Sequence, residues 1–254
     1  MPIDYARQLT GQERTTTANR QLGWALAFIA GATNAGAFLA VKQYTSHMTG
    51  VVSSMADFLV LGELRFAGAA LGALVSFMCG AATSAIMINY AKRHALTSQF
   101  ALPLLLEAAL LLVFGLIGAR LANFHGFFVS ATVMLLCYIM GVQNAVITKI
   151  SRSEIRTTHV TGLVTDIGIE LGKLIYWTRL QKDASQHVTA DRARLLVLTV
   201  LVTAFFLGGI FGAIGFQRMG YGATLPLALL LVLMAIVPAA DDIRQLVARL
   251  TRRQ

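Results

Sequence analysis

Long apolar runs separated by short polar segments dominate the pattern of this chain. Six runs reach the length of about 20 residues that a helix needs to cross a bilayer. They are residues 23–41, 66–90, 101–119, 127–148, 195–216 and 223–239. Three of them fall in each half of the chain. The pattern therefore predicts an all-α, polytopic transmembrane helix bundle.

Two weaker helical patterns lie between these runs, at residues 48–62 and 160–177. Both are apolar, but the first contains Asp57 and the second contains Asp166 and Glu170. A charge at the centre of a lipid-facing helix costs at least ~2.5 kcal/mol. We therefore expect six full spans and two partial membrane helices, and the alternative is a bundle of eight crossing helices.

Composition agrees with a membrane protein, so the lipid bilayer is an expected partner. Of the 254 residues, 13% are charged, against about 25% in soluble domains, and the mean hydropathy is +0.67. The net charge of +9 could suit nucleic acid. However, the basic residues lie at segment ends and in loops, without interleaved aromatic residues, so no nucleic-acid partner is expected.

The distribution of Lys and Arg predicts the topology. With six spans and the N-terminus inside, 17 of the 21 Lys and Arg residues lie on the cytoplasmic side, whereas eight spans place 14 there. The positive-inside rule favours the first count. We expect a multi-pass protein of the bacterial inner membrane with both termini cytoplasmic. It would have an N-terminal tail (1–20), one membrane domain (21–240) and a basic C-terminal tail (241–254).

The two halves of the membrane domain share polar residues in one order, which indicates an internal repeat of residues 21–120 and 127–240. Each half carries a Thr-x-His-x-Thr-Gly segment, here called the first motif (45–50) and the second motif (157–162). Each motif follows an apolar run that contains an Asn. The matched pairs are Asn34 with Asn144, His47 with His159, Thr49 with Thr161, and Gly50 with Gly162. Such repeats are common in transporters.

Each motif is typical of a helix start, because Thr and Ser are good N-caps and Gly lets the backbone turn. The open N–H groups of a helix that starts inside the protein would suit an anion or carboxylate. The eight matched residues are therefore candidate substrate-binding residues. The alternative is that each His only caps or packs a helix, and that each Asn only forms an interhelical hydrogen bond.

Three acidic residues are candidate proton carriers. Glu107 lies near the middle of the third span and has Leu230 as its approximate counterpart in the second half. A carboxylate inside a membrane is a functional hypothesis by default. Asp166 and Glu170, four residues apart on one helical face, are the other candidates. The alternative for Glu107 is a hydrogen bond or an ion pair that holds helices together.

The remaining signals for chemistry are weak. Two His residues without a nearby Cys or acid at fixed spacing do not predict a metal site, and no cofactor is expected. The chain has no nucleophile elbow, P-loop or His-Glu-x-x-His segment, so we do not expect an enzyme. Gly-x-x-x-Gly spacings at 68–72 and 208–212 favour close packing within the chain, with a homo-oligomer as the alternative.

From residue 23 to 238 the chain resembles the YoaK family, bacterial inner-membrane proteins grouped as a domain of unknown function. The resemblance lies in Ala-Phe-Leu at 37–39 and Met-Thr-Gly at 48–50, in Gln-Asn-Ala at 143–145, and in the run from Arg156 to Asp166. Asn34 departs from the pattern, since many members have Asp there. The resemblance implies several membrane spans and no settled activity.

These observations together predict a small transporter or permease for an unknown small molecule or ion, with a polar site formed by the two motifs. The alternative is a membrane sensor, or an assembly or interaction protein, in which the motifs only pack helices.

Overall fold

Every regular element in the computed structural model is helical over the residues that it describes, which are 15–96, 98–121, 127–150, 158–177 and 189–251. The α-helices of these ranges are α1 (Thr16–Val41), α2 (Met48–Val60), α3 (Leu64–Arg93), α4 (Ala101–Leu121), α5 (Phe127–Ile150), α6 (Val160–Trp177), α7 (Arg192–Met219) and α8 (Thr224–Thr251). A 3-10 turn (Gly220–Ala223) joins α7 to α8.

Five stretches of the described residues are long and apolar enough to cross a membrane. Four of them lie in α1, α3, α4 and α5. The fifth, Arg192–Asp242, contains both α7 and α8 with the turn between them. The regular structure of the described residues is therefore entirely helical, and these stretches indicate a multi-pass membrane protein. The two weaker patterns are helices as well, α2 and α6, although neither is among these stretches.

Local signals account for several helix ends. The side chains of Thr15 and Asp191 accept hydrogen bonds from the backbone N–H groups of Ala18 and Arg194, which caps α1 and α7 at their first turns. Lys42 ends α1 with a left-handed backbone (φ 56°), and its N–H group binds the carbonyl of Phe38. Such a residue closes a helix by satisfying one of its last carbonyl groups.

Three long-range helix pairs build the bundle: α1 with α7, α3 with α5, and α4 with α8. The first two pairs are parallel, whereas α4 and α8 are antiparallel. At one end of the α4–α8 pair the N–H group of Ser98 binds Asp242 at 2.8 Å, and at the other end Gly115 lies against Thr224. The turn and the start of α8 lie against the second half of α4, where Tyr221 and Thr224 contact Gly118 and Gly115.

Glycines stand at the closest points of both parallel pairs. A Cβ atom added at any of four glycines would overlap the backbone of the facing helix. The overlapping pairs are Gly31 with Phe205 and Gly208 with Phe28 between α1 and α7, and Gly80 with Tyr138 and Gly141 with Phe77 between α3 and α5. In a membrane, dispersion contacts between such closely packed backbones are a main source of helix association.

The interior of the bundle is formed mainly by α1, α4, α5 and α8. In α1 and α5, 56% of the apolar stretch is buried, against 22% in α3, so α3 lies at the periphery. Large apolar side chains on the peripheral helices, such as Met78 of α3 and Phe211 of α7, are exposed on the surface of the bundle. These side chains are suited to contact lipid.

Helix α8 passes through the predicted boundary between the membrane domain and the basic tail, because it continues from Thr224 to Thr251 with Pro238 inside it. Asp242, the second residue of the predicted tail, is buried and accepts the hydrogen bond from Ser98. The first part of this segment is thus packed on the connection between α3 and α4. Residues 1–14 of the predicted N-terminal tail lie outside the described residues.

Candidate functional site

The first motif lies on a segment that folds back along the helix before it. After Lys42 ends α1, the chain reverses until the hydroxyl of Ser46 donates a hydrogen bond to Oδ1 of Asn34 at 3.2 Å. Asn34 lies seven residues before the end of α1, which corresponds to about 10 Å along the helix axis. Helix α2 therefore starts beside the body of α1, and not at the level at which α1 ends.

The second motif repeats this geometry with a shorter hydrogen bond. The hydroxyl of Thr158 donates to Oδ1 of Asn144 at 2.7 Å, and Nδ2 of Asn144 donates to the carbonyl of Met140 at 2.7 Å. Asn144 lies six residues before the end of α5, about 9 Å along its axis. Both Asn residues thus bind the residue that precedes the motif His. Thr157, the first residue of the second motif, lies outside the described residues.

Each motif histidine packs against the glycine that ends its own motif. A Cβ atom added at Gly50 would overlap the ring of His47, and one added at Gly162 would overlap the ring of His159. Residues three apart are neighbours on a helix surface, so the His-x-x-Gly spacing makes room for the ring over the first turn. Sequence reasoning assigned these glycines to a backbone turn and missed this role, although the spacing was visible.

The structure does not bring the two motifs together among the described residues. Helix α2 packs mainly on α3, where the rings of Phe58 and Phe66 lie 5.4 Å apart, and α6 packs mainly on α7. His47 and His159 are both exposed, as are Thr49 and Thr161. The two halves therefore present two separate copies of one local arrangement.

The start of α2 differs from the capped starts of α1 and α7. His47 occupies the N-cap position, and its side chain makes no capping hydrogen bond. Thr45, two residues earlier, is 1% exposed, and its hydroxyl has no hydrogen-bond partner among the described residues. No side chain thus caps the first turn of α2, although Thr and Ser were expected as N-caps of the motif.

Glu107 lies inside the bundle in the first half of α4. Its side chain is fully buried, and neither carboxyl oxygen has a hydrogen-bond partner in the part of the chain that the structure describes. Leu104, Ala108 and Leu111 share its face of α4 and are buried as well. An unpaired negative charge is very costly in such surroundings, so this group is suited to carry a proton or to bind a cation.

Asp166 and Glu170 lie where α6 meets the start of α7, and both have partners. Arg194 pairs with Asp166 at 3.0 Å, and Lys173 pairs with Glu170 at 2.8 Å. Glu170 also accepts a hydrogen bond from the backbone N–H group of Asp191 at 2.9 Å. The hydrogen bond from Lys173 and the one from Asp191 lower the pKa of Glu170. These contacts join α6 to α7.

Gln143 and Thr33 are buried polar residues that were not among the predicted site residues. Nε2 of Gln143 donates a hydrogen bond to the carbonyl of Leu26 at 3.2 Å, which links α5 to α1. The amide oxygen of Gln143 and the hydroxyl of Thr33 have no partner among the described residues. Each residue directly precedes one of the matched Asn residues, so the repeat alignment contained the signal.

No group of three or more His, Cys, Asp or Glu side chains that could hold a metal ion occurs in the described ranges. The arrangement instead offers two exposed histidines at helix starts and one unpaired carboxyl group in the interior.

Comparisons with other proteins identify the family and nothing more specific. A search of curated proteins and a search of solved structures each found no match. A family model described as "Protein of unknown function (DUF1275)" matches residues 22–237, which agrees with the resemblance to the YoaK family. Since this match covers most of the chain, the protein belongs to the DUF1275 family.

Proposed function

We propose that this protein is a small secondary transporter or permease of the bacterial inner membrane. Six helices (α1, α3, α4, α5, α7 and α8) would cross the bilayer, and α2 and α6 would enter it only in part. The observation that carries the proposal is the unpaired, fully buried carboxyl group of Glu107. Ionisable groups at such positions are expensive, and they mark ion pathways and proton relays.

The directions of the helices support a repeat with inverted topology. Three spans in each half is an odd number, so a fused duplication would place its halves in opposite orientations. The antiparallel pairing of α4 with α8, which are matched helices, fits this arrangement. The glycine crossings also use matched positions, since Phe28 and Gly31 correspond to Tyr138 and Gly141, and Phe77 and Gly80 correspond to Phe205 and Gly208.

The charges at the two ends of the bundle support cytoplasmic termini. The end at which α1 begins and α8 ends carries most of the described basic residues, namely Arg20, Lys92, Arg93, Lys149, Lys173, Arg192, Arg194 and Arg244. The opposite end carries Lys42, Arg65 and Arg218. By the positive-inside rule the first end faces the cytoplasm. In a variant without native cysteines, Arg65→Cys should then react with a reagent added from the periplasm, and labelling only from the cytoplasm would contradict this topology.

In this proposal the two motifs are gates on opposite faces of the membrane. Each partial helix would enter from one face and return to it, and in α2 His47 lies at a start that no side chain caps. Helix starts of this kind point at anionic substrate groups in transporters with inverted repeats. Protonation of Glu107 in the interior would then accompany the passage of the substrate between the two faces.

A second candidate function is a membrane sensor or an assembly protein that transports nothing. A specific observation favours it: the polar side chains of the motifs already have partners. Asn34 binds Ser46, Asn144 binds Thr158, and each His packs on its own Gly. Motifs of this kind could serve only to pack the helices.

A ligand screen on the purified protein separates the two candidates. Thermal unfolding would be measured with anions, amino acids and small carboxylates, and active compounds would be tested for uptake into proteoliposomes. We expect His47→Ala and His159→Ala each to reduce the ligand effect, and Glu107→Gln to abolish the dependence of uptake on a pH gradient. His94→Ala, which removes a histidine outside the motifs, is the matched control.

The transporter proposal fails if both motif variants lose only thermal stability and no compound in the screen stabilises the wild-type protein or is taken up. That result would favour the sensor or assembly function.

A further inference from the structure

The helices other than α4 and α8 form two arms, each of which combines helices from both halves of the chain. The first arm contains α1, α6 and α7, and the second contains α5, α2 and α3. Within each arm the two long helices meet at glycines so closely that an added Cβ atom would overlap the facing backbone. Helices packed in this way lose dispersion contacts as soon as they part, so we expect each arm to move as one body.

The hydrogen bonds of the two motifs join one arm to the other. Ser46 lies just before α2 of the second arm, and it binds Asn34 of α1 in the first arm. Thr158 lies just before α6 of the first arm, and it binds Asn144 of α5 in the second arm. Each short helix therefore packs on its own arm but starts beside the other. These two hydrogen bonds are here called the first latch and the second latch.

The two latches lie near opposite faces of the membrane. The ring of Phe216 lies against Gly36 near the end of α1 and 6.3 Å from the ring of Phe114 near the end of α4, so α1 and α4 end at the same face. Five residues separate α4 from α5, which are too few at about 3.6 Å each to cross a core of ~30 Å. Helix α5 therefore begins at this face, and Asn144, near its end, lies towards the other face.

The interface of α1 with α5 gives the separation of the latches. Nε2 of Gln143 donates a hydrogen bond to the carbonyl of Leu26 at 3.2 Å, which places these residues at one level. Asn34 lies eight residues after Leu26, about 12 Å along α1, and Asn144 directly follows Gln143. Because the two helices run in opposite directions, the latches lie about 13 Å apart along the bundle. A rotation that parts the arms at one end of this interface would therefore open one latch and leave the other closed.

Polar atoms without partners lie beside both latches. Thr33 directly precedes Asn34 and shares a face of α1 with Leu26, seven residues earlier. Gln143 directly precedes Asn144 in the same way, and Thr33 and Gln143 are both 0% exposed. The hydroxyl of Thr33 and the amide oxygen of Gln143 have no hydrogen-bond partner among the described residues. Such atoms require an explanation, and water would satisfy each of them in a state in which its end of the interface is open.

We propose that the two arms rock against each other about the interface of α1 with α5, and that the two latches open alternately, one for each face of the membrane. The structure, in which both latches are formed, is the closed state between the two open ones. Rocking of one rigid body against another is how inverted repeats give alternating access. The α4–α8 pair contacts both arms, through α5 and through Phe216 of α7, so it can serve as the fixed body between them. The role of this motion in transport rests on the proposed function.

Thiol labelling tests the motion without a known substrate. In a variant with both native cysteines replaced by alanine, Thr33→Cys and Gln143→Cys would each be treated with a charged methanethiosulfonate that does not cross the bilayer. Thr33→Cys should react from the periplasmic side and Gln143→Cys from the cytoplasmic side, because each becomes accessible when its own end of the interface opens.

A buried position inside one arm supplies the matched control. Leu201 is also 0% exposed, but it lies seven residues before Gly208, on the face of α7 that meets α1. Leu201→Cys should stay unreactive from both sides, since the contacts within the first arm do not open.

Removal of one latch should act on one face only. Ser46→Ala should speed the labelling of Thr33→Cys about threefold, the population shift that corresponds to the loss of an average hydrogen bond in a membrane protein. It should not speed the labelling of Gln143→Cys. Thr158→Val should have the reverse effects. If a latch variant fails to fold, the sidedness of labelling in the protein with both latches intact still tests the motion.

Failure of both Thr33→Cys and Gln143→Cys to react from either side would overturn the proposal, because the interface would stay closed. Equal acceleration at both positions by one latch variant, or reaction of Leu201→Cys at a similar rate, would also overturn it, since the protein would then loosen as a whole. Sided labelling in a protein that takes up no compound would leave the moving arms standing and refute the transport function. Uptake of a compound without any labelling would refute the moving arms alone.

Discussion

Helices α2 and α6 occupy matched places in the two halves of the chain, and they begin in the same way but are held differently. Both start with a hydroxyl bound to an Asn of the preceding long helix and with a His over a Gly. Beyond its start, α2 has no buried residue. Helix α6 has a buried carboxylate, Glu170, that binds the start of α7.

This difference shows that the motif determines how each short helix starts, whereas the neighbouring helix determines how it is held. The start of each helix depends on residues close in sequence, so both copies form it. The attachment of each helix to the bundle depends on the neighbour it meets. Helix α2 is attached by a contact between two aromatic rings, Phe58 and Phe66. Helix α6 is attached by the ion pair of Asp166 with Arg194 and by the hydrogen bond from the Asp191 N–H group to Glu170.

The interior helices show a second difference between the halves. The crossings of α1 with α7 and of α3 with α5 use glycines at matched positions. At one matched position of α4 and α8, however, the first half has Glu107 and the second has Leu230. The packing of the two halves is therefore alike, but at this position the first half contributes a buried carboxyl group and the second an apolar side chain.

The largest expected effect concerns the glycine crossings, where the halves should respond equally. Gly80→Val and Gly208→Val each place side-chain atoms into the carbonyl of the facing helix, Tyr138 or Phe28. Overpacking of this kind costs about 1–3 kcal/mol. We expect each variant to lower the free energy of unfolding by at least that amount. Gly68→Val is the control, because nothing lies within 4 Å of a Cβ atom added there. A large loss for only one of the two variants would mean that the crossings are not equivalent.

A smaller effect is expected for the hydrogen bonds that hold the two motifs. Double-mutant cycles would pair Asn144→Ala with Thr158→Val and Asn34→Ala with Ser46→Ala. Hydrogen bonds between side chains in membrane proteins contribute about 0.6 kcal/mol on average, with a maximum near 1.7 kcal/mol. The coupling should be larger for the second motif, whose bond is 2.7 Å long, than for the first, whose bond is 3.2 Å long. Zero coupling energy in both cycles would show that these hydrogen bonds do not stabilise the motifs.

The smallest effect concerns pH and tests the different attachment of α6. The pKa of Glu170 is lower in the folded protein, because Lys173 and the backbone of Asp191 donate hydrogen bonds to the carboxylate. Its stabilising contribution is therefore complete above the unfolded pKa, about 4.3. It is lost as the pH falls through the lower folded pKa. Glu170→Gln should flatten the thermal stability profile in this acidic range.

The exposed carboxylate Asp57 on the matched helix α2 supplies the control for this experiment. Asp57→Asn should leave the pH profile close to that of the wild-type protein. An identical profile in Glu170→Gln would show that the contacts of α6 with α7 do not depend on the charge of Glu170.

The sequence contained enough information to predict the long helices and the starts of the two short ones. Apolar runs longer than about 20 residues can satisfy their backbone polar groups in lipid only as helices. The starts at Met48 and Val160 follow from the motifs, since Ser, Thr and Gly near a helix start act through contacts within a few residues. The signal is local, so periodicity and composition reveal it.

The partners of the candidate site residues could not be predicted in the same way. A lone Asn in an apolar run must bind something, but the choice between a substrate and a neighbouring segment depends on where the chain returns. The tertiary structure decided that Ser46 and Thr158 return to Asn34 and Asn144. It also decided that the two motifs lie apart, because α2 and α6 pack on different helices.

By itself the sequence determined that this chain is a helical membrane protein with two related polar motifs, because hydropathy and helix starts depend on residues near one another. Only the tertiary structure decided that the glycines meet backbone carbonyls and that Glu107 is fully buried. The physical reason is that such contacts join residues far apart in sequence, and the direction and depth of each helix are set by all of its neighbours at once.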